Sequence, residues 1–440
     1  MRTIMPTMNQ VARWAALGPL AFFLACSSPS RPSAQVLRAP NDRSLHDSGS
    51  DSSPIDATAK DVVDAAATTL GDAGVFPTVG EASAEGEADP GTEAVMPAWD
   101  GDQPPCYVCG PWGPPGPSED SGDGFQTPPS CTTSGLGISD CANDAGSCCA
   151  SLNVSAGSFF RSYDGVSSGF TSQSAPAGVS SLRLDQYEVT VGRFRQFVAA
   201  EVIGWLPPPG SGKHTYLNEG NGLVDSSSPN SFESGWDSSW TASLATTVVD
   251  WNANLSCDPT SATWTSAAAG NESKPIGCVT WYEAYAFCIW DGAFLPSEAE
   301  WNYAATGGGD QRVYPWSSPP TSSTIDCSYA NYLASDEAGS YDCASSEGGA
   351  ATRVGSESPK GDGKWGQADL AGNVMEWTLD YFANYVASCP NCAYLTSTSA
   401  RVVRGGSYEQ AAAGLLASAR SAFDPTTRFP YLGVRCGRTP

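Results

Sequence analysis

From Ser27 to about Ser130 the chain offers almost nothing to bury. Ser, Asp, Ala, Gly, Pro and Glu dominate, and seventeen acidic side chains face four basic ones. Such a segment cannot recover its ordering entropy through apolar burial, so residues 27–130 are expected to form a disordered, acidic Ser/Ala/Pro-rich stalk. A roughly 100-residue coil spans on the order of 50–60 Å, more where like charges repel and prolines stiffen it. Whatever folds cooperatively must come from the remainder of the 440 residues. One large domain on a long tether is therefore expected, rather than the two or three average domains that length alone would allow. Within the stalk, Cys106-Tyr-Val-Cys109 lies among prolines and reads as a local disulfide in preference to a metal site.

Ahead of the stalk, Arg2 and Arg13 precede an apolar run from Trp14 to Leu24, followed by Ala25-Cys26-Ser27. The run is too short to span a bilayer comfortably, and residues 1–26 read as a signal peptide. Phe23-Leu24-Ala25-Cys26 resembles a bacterial lipobox, with Phe where Leu is usual. The expectation is lipidation at Cys26 and a lipid anchor in a membrane of the bacterial cell envelope, with plain secretion as the alternative. Fourteen further cysteines, an even number in an exported chain, make disulfides the default. The formal net charge of −25 and the lack of clustered Lys and Arg exclude nucleic acid as a partner. Only His46 and His214 are present, so a Ser-His-Asp triad or a multi-His metal site has almost nothing to be built from.

After the stalk, residues 131–151 form a Cys-rich leader with Cys131, Cys141, Cys148 and Cys149, whose connectivity the sequence leaves open. The main domain is expected over 152–440. Leu152 to Phe160 alternates like a strand, as does Leu182 to Val189. Thr190 then caps a helix carrying Phe194, Phe197 and Val198 on one face. Gly204 to Asn271 lacks periodicity and reads as a long irregular excursion. Thr280-Trp-Tyr-Glu283 and Ser297-Glu-Ala-Glu300 have the spacing of capping boxes, which predicts two helices. Beyond Trp316 loops and short strands are expected.

Leu295-Pro-Ser-Glu-Ala-Glu-Trp301, Tyr314-Pro-Trp316, Asp369-Leu-Ala-Gly-Asn-Val-Met-Glu-Trp377, Arg404-Gly-Gly-Ser-Tyr408 and Gly433-Val-Arg-Cys436 occur in that order. Together they resemble the formylglycine-generating enzymes, or sulfatase-modifying factors, over Leu152 to Cys436. The resemblance implies an α+β, C-type-lectin-like fold, irregular and low in regular secondary structure, and by itself no reaction. It also implies structural calcium held by the Asp369 side chain, the Gly372 and Val374 carbonyls and the Glu376 carboxylate, an all-oxygen set suited to a hard cation. A second calcium site would begin near Asn331. Met375 stands where the family usually has Trp, changing one wall of the groove.

The resemblance pairs Cys288 with Cys436, a long-loop disulfide worth roughly 5 kcal/mol in the chain-entropy picture. Cys257 with Cys278, Cys327 with Cys343, and Cys389 with Cys392 are the remaining pairs expected. Cys389-Pro-Asn-Cys392 is also the one candidate soft-metal site, since two thiolates suit Cu(I). In the family, two cysteines shortly after the Gly-Gly-Ser-Tyr segment hold Cu(I) for oxygen-dependent oxidation of a substrate thiol. Here Gly405 to Arg420 contains no Cys; Gln410 occupies the first catalytic position, while Ser407 and Arg420 match family groove positions. Copper is therefore not expected as a cofactor. Two functions follow from the resemblance. One is an extracytoplasmic lipoprotein whose domain binds a peptide, a sugar or an envelope protein. The alternative is a protein-modifying oxidoreductase that converts Cys or Ser of sulfatases or other exported proteins to formylglycine.

Overall fold

The computed structural model describes residues 127–141, 146–336, 339–343 and 349–440. The expected signal peptide with Cys26, nearly all of the stalk, and Cys106 and Cys109 lie outside the described residues. In chain order the strands are β1 (Ser151–Val154), β2 (Gly157–Phe160), β3 (Pro176–Val179), β4 (Leu182–Asp185), β5 (Val224–Asp225), β6 (Leu333–Asp336), β7 (Gly339–Asp342), β8 (Met375–Tyr381), β9 (Cys389–Pro390), β10 (Cys392–Ala393), β11 (Arg401–Arg404), β12 (Ser421–Phe423), β13 (Leu432–Gly433) and β14 (Gly437–Arg438). The helices are α1 (Val191–Val202), α2 (Val248–Leu255), α3 (Trp281–Trp290) and α4 (Glu298–Ala305). This is the α+β class with few helices and irregular strands expected from the sequence.

The helix starts are fixed locally. Thr190, Thr247, Thr280 and Ser297 each accept the N3 backbone N–H with their hydroxyl, and Glu283 and Glu300 complete capping boxes on α3 and α4. Helix α2 falls inside the stretch expected to be irregular. It is short, and of its residues only Trp251 and Leu255 are buried, too few to show a helical period. The run from Leu152 to Phe160 is not one strand. Ala156 gives its N–H to the Ser181 hydroxyl instead of a ladder, so β1 pairs with β4 while β2 pairs with β3.

The central sheet has the order β12-β11-β8-β13, and the paired β8 is buried on both faces. Because side chains alternate along a strand, its two faces carry different chemistry. Met375, Trp377 and Leu379 join an apolar core with Phe194, Phe197, Trp251, Trp281 and Phe287 from the first three helices. On the other face, Glu376 accepts from the Trp301 indole of α4 at 2.6 Å, and Asp380 accepts from the Glu298 backbone N–H at 2.7 Å. That polar face looks toward α4 and the candidate site.

Six disulfides occur among the described residues: Cys131–Cys149, Cys141–Cys148, Cys257–Cys278, Cys288–Cys436, Cys327–Cys343 and Cys389–Cys392. The Cys-rich leader is sewn into the domain. Arg193 of α1 donates to the Cys148 carbonyl and the Ser130 hydroxyl, and the Ser130 N–H reaches Asp291. No helix among the described residues is long and apolar enough to cross a membrane.

Candidate functional site

Where β11 ends, Gly405 and Gly406 turn at positive φ, and the chain returns through Gly414 to β12. A shallow open depression lies here, with room for about one water. It is lined by Met375 and Val403, the three glycines, Ala419, Ser421, Arg404 and Arg420. Arg404 is buried. Its Nη1 donates to the Ala419 carbonyl at 2.7 Å, and its Nη2 donates to Glu298 at 2.5 Å and Tyr385 at 2.7 Å. Arg420 donates from Nη2 to the second Glu298 oxygen at 2.8 Å and from Nη1 to the Ala383 carbonyl at 2.9 Å. It lies 4.4 Å from the centres of the Phe382 and Tyr385 rings.

Two guanidiniums thus share one carboxylate. Burial alone would raise the Glu298 carboxyl, but Arg420 and Arg404 hold it below the usual carboxylate range. Asp380 behind it has no such direct partner; burial first, then the Glu298 charge, pushes its carboxyl up to about 7. Arg161 stacks 4.4 Å over Tyr385 and donates to the Val386 carbonyl at 2.7 Å.

Of the groove residues expected from the sequence, the structure brings Arg420 and Met375 into the wall. Gln410 is half-buried against Gly414, its backbone tied to the Ser407 carbonyl. Ser407 is fully buried and accepts the Glu409 N–H. Sequence reasoning missed Glu298, Tyr385 and Arg161. Glu298 sits inside the Leu295–Trp301 motif, yet nothing local shows that its partners are 106 and 122 residues away.

The donor set does not fit copper. Every described cysteine is in a disulfide, including Cys389 and Cys392, so the alternative soft-metal pair has no thiolates to offer. Gln410 and Ser407 are hard, neutral groups.

The residues expected to hold calcium form a second charged cluster. Asp369 is buried at φ 57° and accepts the Gly355 N–H at 2.6 Å. Glu188 accepts from Asn373 Nδ2 and the Val374 N–H. Glu376 places both oxygens on the Arg435 guanidinium and one on Trp301. Burial and the neighbouring charges push Asp369 up to about 6 and Glu357 up to about 8, with Glu188 well above the usual range. Glu188, Asp369 and Glu376 therefore share the single guanidinium of Arg435, with Glu357 beside Asp369, an imbalance that protons or a hard cation must cover. The Oδ1 of Asn331 and the Oε2 of Glu357 are buried without a hydrogen-bond donor. Asn331 also abuts Gly372, where an added Cβ would lie 2.5 Å from the Asn331 carbonyl oxygen. The two orphaned oxygens are hard donors of the kind calcium takes, whereas both Glu376 oxygens already accept from Arg435 and one also from Trp301.

His214 serves neither cluster. It is wholly buried against Phe294, with ring nitrogens 3.0 Å from Glu233 and Glu300. Burial would lower its pKa, but the two carboxylates raise it to about 10, so it is a fixed cation inside the fold.

Residues 141–440, more than half of the chain, match the sulfatase-modifying factor enzyme 1-like domain. A formylglycine-generating enzyme of Streptomyces coelicolor is 34% identical over 39% of this chain and 54% of its own length. An inactive C-alpha-formylglycine-generating enzyme 2 of Bos taurus is 31% identical over 38% of this chain and 52% of its own length. A formylglycine-generating enzyme of Thermomonospora curvata is 27% identical over 60% of this chain and 83% of its own length. In the first two, the match spans about half of the relative.

Proposed function

Because the chain belongs to the sulfatase-modifying factor enzyme 1-like family, we propose that it uses this domain as a binding module for a peptide, and not as a copper oxidase. One observation carries the reading: the family domain is kept while the thiols are gone. Gly405 to Arg420 contains no cysteine, and the twelve described cysteines are all paired. Soft copper needs thiolates, and a disulfide sulfur is a poor ligand. The bovine relative named as inactive is a precedent for the domain without the oxidation. Calcium at Asp369, Gly372, Val374 and Glu376 would be structural, offsetting the buried acid excess. Cys26 would carry the lipid anchor, and the acidic segment would hold the domain away from an envelope membrane.

The test is mass spectrometry of a Cys-x-Pro-x-Arg peptide incubated with the full chain, oxygen, Cu(I) and a mild reductant, beside an active formylglycine-generating enzyme. An unchanged thiol is expected. Conversion to the aldehyde would overturn the reading in favour of the oxidoreductase.

A further inference from the structure

Resting on the reading of Cys26 as a lipid anchor, we propose that the loop after α1, with Trp205 and Trp290, is a docking surface for the lipid bilayer to which the domain is tethered. Residues 202–212, Val-Ile-Gly-Trp-Leu-Pro-Pro-Pro-Gly-Ser-Gly, contain no charged side chain. Ile203 is 87% exposed and Leu206 47%. Glu201, the acid just before them, is buried; burial first, then the Glu283 charge, pushes its carboxyl up to about 8, so it is largely neutral at pH 7.

The loop is held at both ends beside α3. Trp205 and Trp290, each half-buried, flank the Phe197 ring of α1 at 6.0 and 5.7 Å. Further along, Gly212 approaches Ile289 so closely that an added Cβ would lie 2.6 Å from its side chain. The exposed apolar groups are therefore displayed on a fixed support.

The backbone suits a dehydrated interface. Leaving water costs most where an N–H or C=O loses its partner. Here the Gly204 and Trp205 amides donate to the Glu201 and Ala200 carbonyls, and those of Gly210 and Ser211 to Trp236 and Pro208. Pro207, Pro208 and Pro209 have no N–H to lose. Among the described residues, no acceptor meets the indole N–H of Trp205 or Trp290, and neither group is buried. Such indoles, apolar in body with one free donor, sit best at the level of lipid headgroups. The formal charge of −25 opposes anionic lipid, so the contact is apolar insertion into a zwitterionic surface. The stalk that would hold the domain off the membrane also keeps it within reach. A coil spanning on the order of 50–60 Å makes docking intramolecular, so a surface too weak to bind from solution can still act.

The experiment places the lipidated full chain on vesicles of phosphatidylcholine and phosphatidylethanolamine with brominated acyl chains and reads quenching of tryptophan emission. Quenching is expected. The paired change Ile203→Asp with Leu206→Asp should reduce it at least about two-fold while the chain stays on the vesicles through Cys26. Leu136→Asp, an exposed position beside Gly192 at the opposite end of α1, should leave it unchanged. Circular dichroism and thermal melts check that the variants fold. Equal quenching in the native chain and the paired variant would overturn the docking surface and leave the anchor standing. Cys26→Ser separates the two readings: it should abolish stable attachment, with quenching returning only at about millimolar lipid. Attachment of Cys26→Ser equal to that of the native chain would overturn the anchor on which the proposal rests. A dimer in sedimentation that the paired change splits, with no quenching of the native chain, would overturn lipid in favour of a second copy on this face.

Discussion

Arg193 and Arg438 meet Asp185 and Asp291 in a ring of two cations and two anions, all of them buried. Arg404 and Arg420 instead divide Glu298 between them at the edge of a groove. Both clusters use the same chemistry, and they differ in stoichiometry and access. The closed ring is neutral and lowers the Asp291 carboxyl against the opposing effect of burial, through Arg193 and then Arg438. It asks nothing of the solvent. The groove cluster sets two cations on one carboxylate, and the Asp369 cluster leaves negative charge beside orphaned oxygens. A buried ionic cluster that balances internally stabilises the fold; one that does not points to what is missing.

The comparison can be broken at its strongest point first. Asp291→Ala should cost about 3–5 kcal/mol in urea unfolding, because two buried guanidiniums would be left with Asp185 alone. A loss below about 1 kcal/mol would mean the ring does not carry its charges as described. Calcium comes next. At a hundred times its dissociation constant it should add about 2.7 kcal/mol to the unfolding free energy, and Asp369→Ala should remove that increment. Equal melting with calcium and with chelator would leave protons as the counter-charge of the Asp369 cluster. Smaller again, Glu298→Gln should cost about 2 kcal/mol, since Arg404 retains carbonyl and hydroxyl acceptors and Arg420 reaches water. Smallest of all, Lys364→Ala breaks an exposed pair with Asp310 and should change stability by no more than about 1 kcal/mol in the same assay.

What could be read from the sequence was local or marked by residue type. Thr280 with Glu283 and Ser297 with Glu300 are three apart, so the starts of α3 and α4 were visible as spacing. The fold class followed from motifs in order. The charge clusters were not legible, because an arginine carries no local sign of its partner: Arg193 and Asp291 are 98 residues apart, and Arg438 and Asp185 are 253. Helix α2 was hidden for a different reason, having only two buried apolar residues to mark its period. In the groove, Arg420 was recognisable by position, whereas its sharing of Glu298 with Arg404 required the fold.

The segment from Leu432 to Arg438 carries more than its length suggests. It supplies strands to two sheets, Arg435 to the Asp369 cluster, Cys436 to Cys288, and Arg438 to the closed ring. A ribosome makes these residues after everything they hold together. Neither the ring nor the cross-link can close before this segment has been made, and a message truncated upstream of Leu432 yields a chain that cannot reach the native state.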